Sequence, residues 1–150
     1  FKGLPATVGC ELLGSTPSTD ATDLFVAAFN SATISVPWQK IEAVEGEYDW
    51  GPSDKQLEWC EQQKLMVRGG PLIDLGPNGL PAWLARWEHD IFNLQSFVSD
   101  FVETAISRYV GRIRIWEIAA RLNTGGALTL NEETRLTLAA RILDVARQVD

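Results

Sequence analysis

Apolar residues along the chain follow two periodicities, and the two alternate. In four runs they are continuous or alternate with polar residues, as is typical of buried β-strands, and in four longer stretches they recur every three or four positions, as on one face of a helix. The strand-like runs cover residues 4–13, 32–38, 65–75 and 112–121, and the helical stretches cover 19–29, 54–63, 94–109 and 129–149. The predicted order of elements is therefore βαβαβαβα.

The alternation of strands and helices predicts a parallel sheet. Continuous apolar strands joined by helical crossovers are buried on both faces, and each crossover is right-handed. The segments that leave the strands are long and carry aromatic and polar residues, whereas the turns back to the next strand, such as Asn30-Ser31, are short. This asymmetry is typical of a (β/α)8 barrel, whose active face is built by the loops after the strands. We therefore predict an α/β fold of the TIM-barrel type.

Four βα units are half of the eight that close such a barrel. We accordingly expect residues 1–150 to form one domain that supplies the first four units and is incomplete by itself. Its two outer strands would leave backbone hydrogen-bonding groups unpaired. The other half-barrel is then either a missing part of the same chain or a second copy.

Several residues are predicted to begin or end the helices. Thr19 precedes the apolar positions of the first helix and is predicted as its N-cap. Thr129 and Glu132 have the spacing of a capping box for the last helix. Gly111 is expected to end the third helix, and a Gly-rich loop at 124–126 is expected after the fourth strand.

The charge balance argues against two classes of partner. With a net charge of −7 and no basic cluster, the chain is not expected to bind nucleic acid. No apolar run approaches the ~18 residues of a membrane span, and no charged-then-apolar signal segment begins the chain. The chain starts at Phe1, which fits either a removed leader or an excised segment, and the sequence leaves both open.

The motifs give no support for a cofactor or a metal. No strand is followed by G-x-G-x-x-G or by a P-loop, so no nucleotide cofactor is expected. His89 is the single histidine and is expected at the surface, and the lack of a His/Cys cluster argues against a metal site. Cys10 and Cys60 are expected to be two buried free thiols rather than a disulfide.

Four motifs, in the right order along the chain, carry a resemblance to a known family. They are Trp38-Gln39-Lys40-Ile41-Glu42 with Gly46-Glu47-Tyr48-Asp49-Trp50, then Met66-Val67-Arg68-Gly69, Leu80-Pro81-Ala82-Trp83-Leu84, and Arg108-Tyr109-Val110-Gly111-Arg112-Ile113 with Trp116-Glu117. With these motifs the chain resembles the retaining glycoside hydrolases of family 10, the xylanase family, over residues 4–150. The resemblance implies a (β/α)8 barrel, a poly- or oligosaccharide as partner, and a secreted or extracytoplasmic location.

The chain departs from the family pattern where the family carries its chemistry. The family's fourth strand ends Trp-Asp-x-x-Asn-Glu, and the glutamate is the general acid/base. Here the same register reads Trp116-Glu117-Ile118-Ala119-Ala120-Arg121, which places Arg121 at the acid/base position. The segment Ile34–Pro37 lacks the family's sugar-holding residues, and Gly70–Leu75 lacks the two histidines of the third strand.

These departures bear directly on the reaction. Retaining hydrolysis needs two carboxyl groups about 5–5.5 Å apart, and a guanidinium with a pKa above ~12 cannot replace either of them. The family's nucleophile is expected on a later strand that this chain does not contain. Alternation predicts that Glu11, Asp74, Glu117 and Arg121 converge at the strand ends. They would form either a rebuilt catalytic site or an ion-pair network in which Arg121 neutralises Glu117 or Asp74.

Two aromatic residues are candidates for binding a sugar. Trp38 and Trp83 occur on or just after strands, where an indole ring could stack on a sugar face. Packing of both rings in the hydrophobic core is the alternative interpretation. The other tryptophans are expected to pack in the core.

Three hypotheses for function remain open, so whether the chain is an enzyme is left undecided. The first is a degenerate, non-hydrolytic family 10 domain with a carbohydrate-binding or scaffold role. The second is an active O-glycosyl hydrolase with relocated carboxylates, completed by a missing C-terminal half. The third is a half-barrel that closes by dimerisation.

Overall fold

The structure of the chain is a computed structural model, which describes residues 7–122, 126 and 128–149. The start of the first predicted strand, residues 4–6, and most of the predicted Gly-rich loop, residues 124 and 125, lie outside the described residues.

A parallel sheet forms the centre of the described chain. Its four strands are β1 Gly9–Glu11, β2 Ser31–Ile34, β3 Met66–Gly69 and β5 Ile115–Trp116. They lie side by side in the order β1-β2-β3-β5, so each strand pairs with the strand of the next βα unit. Gly9 aligns with Ser31 across the first pair, and Ser31 aligns with Met66 across the second. The order and the parallel pairing are those of four successive βα units.

The third and fourth predicted strands are each broken in two, which differs from the continuous runs predicted. The chain resumes as β4, Ile73–Asp74, and β6, Ala119–Ala120, and these two pair in parallel as a second small sheet. The break follows Gly70, whose φ of +124° and close approach to the Glu117 carbonyl exclude a side chain, and Pro71, which has no N–H to donate.

The four predicted helices occur in the predicted order, but the first and the last begin at other caps, and two further short helices, at Trp38–Ile41 and Ala82–Trp87, were not predicted. The first helix is capped by Ser18 Oγ, which accepts from the Ala21 N–H at 3.4 Å, and not by Thr19. At the last helix the side chain of Asn131 accepts from the Thr134 N–H at 2.8 Å, while Thr129 is instead hydrogen-bonded to Glu88. The helices are α1 Thr19–Ala28, α2 Trp38–Ile41, α3 Gly51–Gln62, a 3-10 helix Ala82–Trp87, α4 Ile91–Arg108 and α5 Glu132–Val149.

Aromatic rings organise the core between α2, α3 and α4. Phe101 of α4 is stacked on Trp38 with ring centroids 4.9 Å apart and on Trp50 at 6.1 Å. Tyr109, fully buried at the end of α4, donates its hydroxyl to Asp54 of α3 at 2.7 Å. The predicted second strand, 32–38, ends at Ile34 in the structure, and Trp38 is instead the buried first residue of α2.

The edge formed by β1 and α1 is far less buried than the middle of the sheet. α1 has no buried residue, and its Leu24 is 75% exposed. Phe25 of α1 packs edge-on against Trp59 with centroids 5.3 Å apart, so the helix is anchored by few apolar contacts. Apolar surface therefore remains uncovered along this edge.

Both cysteines are free thiols, as predicted. Cys60 is buried, and its burial raises the pKa of the thiol to about 11, whereas Cys10 is only partly buried. His89 lies at the surface, as predicted. Among the described residues, no helix is long and apolar enough to cross a membrane, and no group of three or more His, Cys, Asp or Glu side chains could hold a metal.

Candidate functional site

A cleft of about 350 Å3 opens at the carboxyl ends of the strands, where the barrel-type fold predicts a site. Glu11 reaches it from the end of β1, Asp74 from the end of β4 and Arg121 from the residue after β6. Ser35, Gln39 and Asn78 add to the polar lining. Three of the four predicted polar residues therefore share one cleft.

Glu117 is the predicted candidate that does not line this cleft. It occupies the break between β5 and β6 and is exposed to solvent. Its backbone N–H donates to the Gly69 carbonyl at 2.9 Å, and its carbonyl accepts from the Leu72 N–H at 3.1 Å. The strict alternation predicted for residues 117–121 is lost at this break, so Glu117 and Arg121 do not line the cleft together.

Asp74 and Arg121 form a bidentate ion pair inside the cleft. Arg121 Nε donates to Asp74 Oδ1 at 2.7 Å, and Arg121 Nη2 donates to Asp74 Oδ2. Asp74 Oδ1 also accepts from the Gly76 N–H at 2.9 Å. Of the two partners predicted for Arg121, the structure thus shows Asp74. Bidentate geometry of this kind gives the strongest hydrogen bonds that guanidinium and carboxylate groups form.

The ion pair fixes the protonation state of both partners. The hydrogen bonds from Arg121 hold the pKa of Asp74 below its usual range, although partial burial works in the opposite direction. The same contacts raise the pKa of Arg121. Both groups are therefore charged at neutral pH, and Asp74 has no proton to donate as a general acid.

Two glycines make room for the pair. A Cβ atom on Gly76 would lie 2.3 Å from Cζ and Nε of Arg121, and one on Gly79 would lie 2.2 Å from the Asp74 carbonyl oxygen. Arg121 itself has a φ of +54°, which is unfavourable for a residue with a side chain. The Gly76-Pro77-Asn78-Gly79 sequence predicts a turn, but sequence reasoning missed its role in accommodating the guanidinium.

Trp38 and Trp83 belong to one aromatic cluster with Phe97 and Phe101. Trp38 is 1% exposed, stacks on Phe101, and donates its indole N–H to Glu42 Oε2 at 2.7 Å. This packing is that of a core residue and argues against Trp38 as a sugar platform. Trp83 is partly exposed, and its indole N–H donates to the Glu42 carbonyl at 2.8 Å. Its role in sugar binding stays a prediction.

The cleft is equipped to bind polar groups. Its described lining combines the Arg121 guanidinium, the Asp74 carboxylate held in its ionised form, the Glu11 carboxyl group, and the side chains of Ser35, Gln39 and Asn78. The side chains of Ser35 and Asn78 were missed by sequence reasoning. Ser35 directly follows β2, and Asn78 lies in the turn after β4. These positions could have identified both residues as part of the site, because loops that follow parallel strands meet at one edge of the sheet.

Comparison with protein families and curated proteins places this chain among glycoside hydrolases. The family model described as Glycosyl hydrolase family 10 matches residues 6–127. Endo-1,4-beta-xylanase 3 of Hypocrea jecorina is 30% identical over 103 residues, which is 68% of this chain and 29% of that protein. Endo-1,4-beta-xylanase B of Thermotoga neapolitana is 30% identical over 81 residues, which is 54% of this chain and 23% of that protein.

Solved structures agree with this assignment at the level of the fold. A GH10 endoxylanase from a sugarcane soil metagenome superposes with a TM-score of 0.75 at 20% identity, covering 96% of this chain and 45% of that one. Native xylanase 10B from Thermotoga maritima gives 0.74 at 19% identity, covering 96% and 46%.

The alignments thus span less than a third of the curated relatives and less than half of the solved structures. The predicted fold class, a part of a (β/α)8 barrel, is confirmed by these structural neighbours. Because the family model covers most of its length, the chain belongs to glycosyl hydrolase family 10.

Proposed function

We propose that this chain is a degenerate family 10 domain that binds carbohydrate at the strand-end cleft and does not hydrolyse it. The observation that carries the proposal is the bidentate Arg121–Asp74 pair. It occupies the strand end at which the family resemblance puts the general acid/base glutamate. A permanently charged guanidinium paired with an ionised carboxylate cannot deliver a proton to a leaving oxygen.

The ligand we propose is a xylo-oligosaccharide. The relatives are endo-1,4-beta-xylanases, and two structural neighbours are a xylanase 10B from Thermotoga petrophila in complex with xylobiose and an E246C mutant of P fluorescens xylanase A in complex with xylopentaose. Sugar hydroxyls both donate and accept hydrogen bonds, and the cleft offers both kinds of partner in Arg121, Asn78 and Asp74. We also propose a secreted or extracytoplasmic location, which the family resemblance implies.

Catalysis is tested by incubating the purified chain with xylan and with an aryl xyloside and measuring the release of reducing ends or of the aryl group. We expect no turnover above a buffer blank. Turnover that is abolished by Glu117→Gln or Asp74→Asn would contradict the proposal. It would favour an active hydrolase with relocated carboxylates instead.

Binding is tested by isothermal titration of the chain with xylopentaose. Arg121→Ala is expected to weaken binding about tenfold, because a charge-assisted hydrogen bond to the sugar is lost. Arg112→Ala is the matched control, since Arg112 forms the same kind of bidentate pair with Glu61, at 2.8 and 2.9 Å, outside the cleft. Equal affinities for all three proteins would show that the cleft is not the binding site.

A second proposal concerns the exposed edge of the sheet. We propose that a second copy of this chain covers the β1–α1 edge and closes the barrel. Leu13 after β1 and Leu24 on α1 are 85% and 75% exposed, and β1 pairs with one neighbour only among the described strands. Apolar side chains beside an unpaired strand edge are a favourable surface for association.

Light scattering of the purified chain tests this closure. We expect a dimer that Leu24→Glu converts to a monomer. Val44→Glu is the control, because Val44 is comparably exposed at 57% but lies between α2 and α3, in the second βα unit and not beside either outer strand. A stable, soluble wild-type monomer would contradict the closure.

A further inference from the structure

The last helix, α5, is covered on one side only in the described part of the chain. Arg141 Nε donates to Ser99 Oγ of α4 at 3.3 Å, and the buried Val145 lines a groove shared with α4. Leu143 lies two residues from both Arg141 and Val145, so it points roughly 200° away from them around the helix. It is 48% exposed. The side of α5 that faces away from α4 is therefore open.

This open side of α5 carries an apolar stripe that ends in one cation. The stripe has intervals of four, three and four residues, which is the spacing of one helix face, and consists of Leu136, Ala140, Leu143 and Arg147. Leu136 is 63% exposed, and Arg147 has no hydrogen-bond or ion-pair partner among the described residues. These four residues form the outer face of α5.

The helix at the other end of the sheet, α1, has an exposed surface with complementary properties. Phe25 turns toward Trp59 of α3, whereas Leu24 is 75% exposed. Asp20 and Asp23 are exposed on the same helix, and α1 contains no basic residue. The residues Asp20, Asp23 and Leu24 form the outer face of α1. One end of the sheet thus offers a leucine with acidic neighbours, and the other offers leucines with an arginine.

The ends of the helices decide which parts of the two outer faces would meet in a closed barrel. Ser99 and Arg141, which are hydrogen-bonded, both lie near the middle of 18-residue helices, so α4 and α5 end at nearly the same level. Both α1 and α4 lead back to the amino end of the next strand of the sheet, β2 and β5 respectively. The ten residues of α1 would therefore run beside the last ten of α5, which include Leu143 and Arg147.

We propose that the outer face of α5 packs against the outer face of α1 in a second copy of this chain. Leu143 contacts the partner's Leu24, and the Arg147 side chain, which leans toward the start of its helix, reaches the partner's Asp23. Two-fold symmetry forms this contact twice, once at each end of the sheet. The inference rests on the barrel closure proposed above and identifies the surface of the partner that covers α1. Apolar burial supplies affinity, and the opposite charges orient the contact.

Light scattering of single variants tests this contact. Leu143→Lys is expected to halve the apparent mass of the wild-type dimer, because it places an unpaired charge against the partner's Leu24. Val44→Lys is the matched control and should leave the mass unchanged, since Val44 is 57% exposed but lies between α2 and α3. Both positions are exposed, and far-UV circular dichroism checks that each variant is folded.

A pair of opposite charges tests whether the two outer faces meet each other. A chain with both Leu24→Glu and Leu143→Lys has one charge of each sign in every contact. Its dimer is expected to bind about tenfold more tightly than that of a chain with Leu24→Glu and Val44→Lys. High salt should reduce this recovery, because it screens exposed charges.

The outcomes separate this contact from the closure on which it rests. A wild-type monomer would overturn both. If Leu24→Glu dissociates the dimer and Leu143→Lys does not, the contact with α5 is overturned and the closure stands. If Leu143→Lys alone dissociates it, α5 binds a surface other than α1, which also overturns the proposal. Dissociation by both single variants without recovery in the double variant would show that the two outer faces do not meet, and this too would overturn it.

Discussion

Arg121 and Asp74 depend on a glycine as much as on each other. The guanidinium lies directly over Gly76, whose N–H also donates to Asp74, so the turn after β4 supports both partners of the pair. Gly79 approaches the backbone of Asp74 from the other side of the same turn. The two glycines differ in what a side chain would displace, and this difference can be measured.

Gly76→Ala is expected to push the guanidinium away from Asp74, because the clashing atoms belong to the flexible end of Arg121. The pKa of Asp74 should then rise toward its ordinary value, which NMR titration of the carboxyl group measures. In Gly79→Ala the added methyl group clashes with the Asp74 carbonyl oxygen, a backbone atom that cannot move aside. This substitution should lower the free energy of unfolding by about 1–3 kcal/mol. An unchanged pKa of Asp74 in Gly76→Ala would show that the pair tolerates the added methyl group.

At the scale of elements, α3 and α4 are joined by polar bonds of two kinds. The hydroxyl of the buried Tyr109 and the guanidinium of Arg108 both donate to Asp54. Burial by itself raises the pKa of Asp54, but these hydrogen bonds outweigh it and hold the pKa below the usual range. The second link, Arg112–Glu61, is about half exposed on both sides and is screened by solvent.

Tyr109→Phe removes only the buried hydroxyl and should lower the free energy of unfolding by about 1–2 kcal/mol, since the bond that it loses goes to a charged acceptor. Arg112→Ala should cost less than ~1 kcal/mol, because exposed ion pairs contribute little. Urea unfolding of both variants measures the difference. Equal losses would mean that solvent screens the Tyr109 bond as fully as the surface pair.

At the scale of the whole molecule, ion pairs connect segments that are distant in sequence. Asp54, Glu61 and Asp74 each accept hydrogen bonds from an arginine at least 47 residues further along the chain. In all three carboxyl groups the pKa is lowered in the folded chain. The unfolded chain therefore binds more protons than the folded one at acidic pH, and stability rises with pH in that range.

Acid should accordingly destabilise the fold. The contribution of these groups is complete above the ordinary carboxyl pKa of about 4 and is lost as pH falls through the lowered values. We expect the thermal midpoint to fall between about pH 5 and about pH 2, and Asp74→Asn to show a smaller fall than the wild type. A midpoint that is constant over this range would contradict the assigned pKa directions.

The order of elements, the barrel class and the family could be predicted from the sequence, and the ends of the helices could not. Apolar periodicity and short motifs are local properties of the sequence, so they can be recognised without knowledge of the fold. Thr19 and Thr129 were predicted as caps, yet Ser18 and Asn131 cap the helices. Thr129 hydrogen-bonds to Glu88, a contact across 41 residues that no local pattern reveals.

Arg121 separates what the sequence predicts from what requires the tertiary structure. The sequence by itself shows a cation, Arg121, at the position where the family resemblance puts the acid/base glutamate. Only the tertiary structure decided that Arg121 pairs with Asp74, that Glu117 stays outside the cleft and that Trp38 is buried against Phe101. The physical reason is that the register between neighbouring strands, and the break in that register at Gly70-Pro71, sets the distances that select each partner.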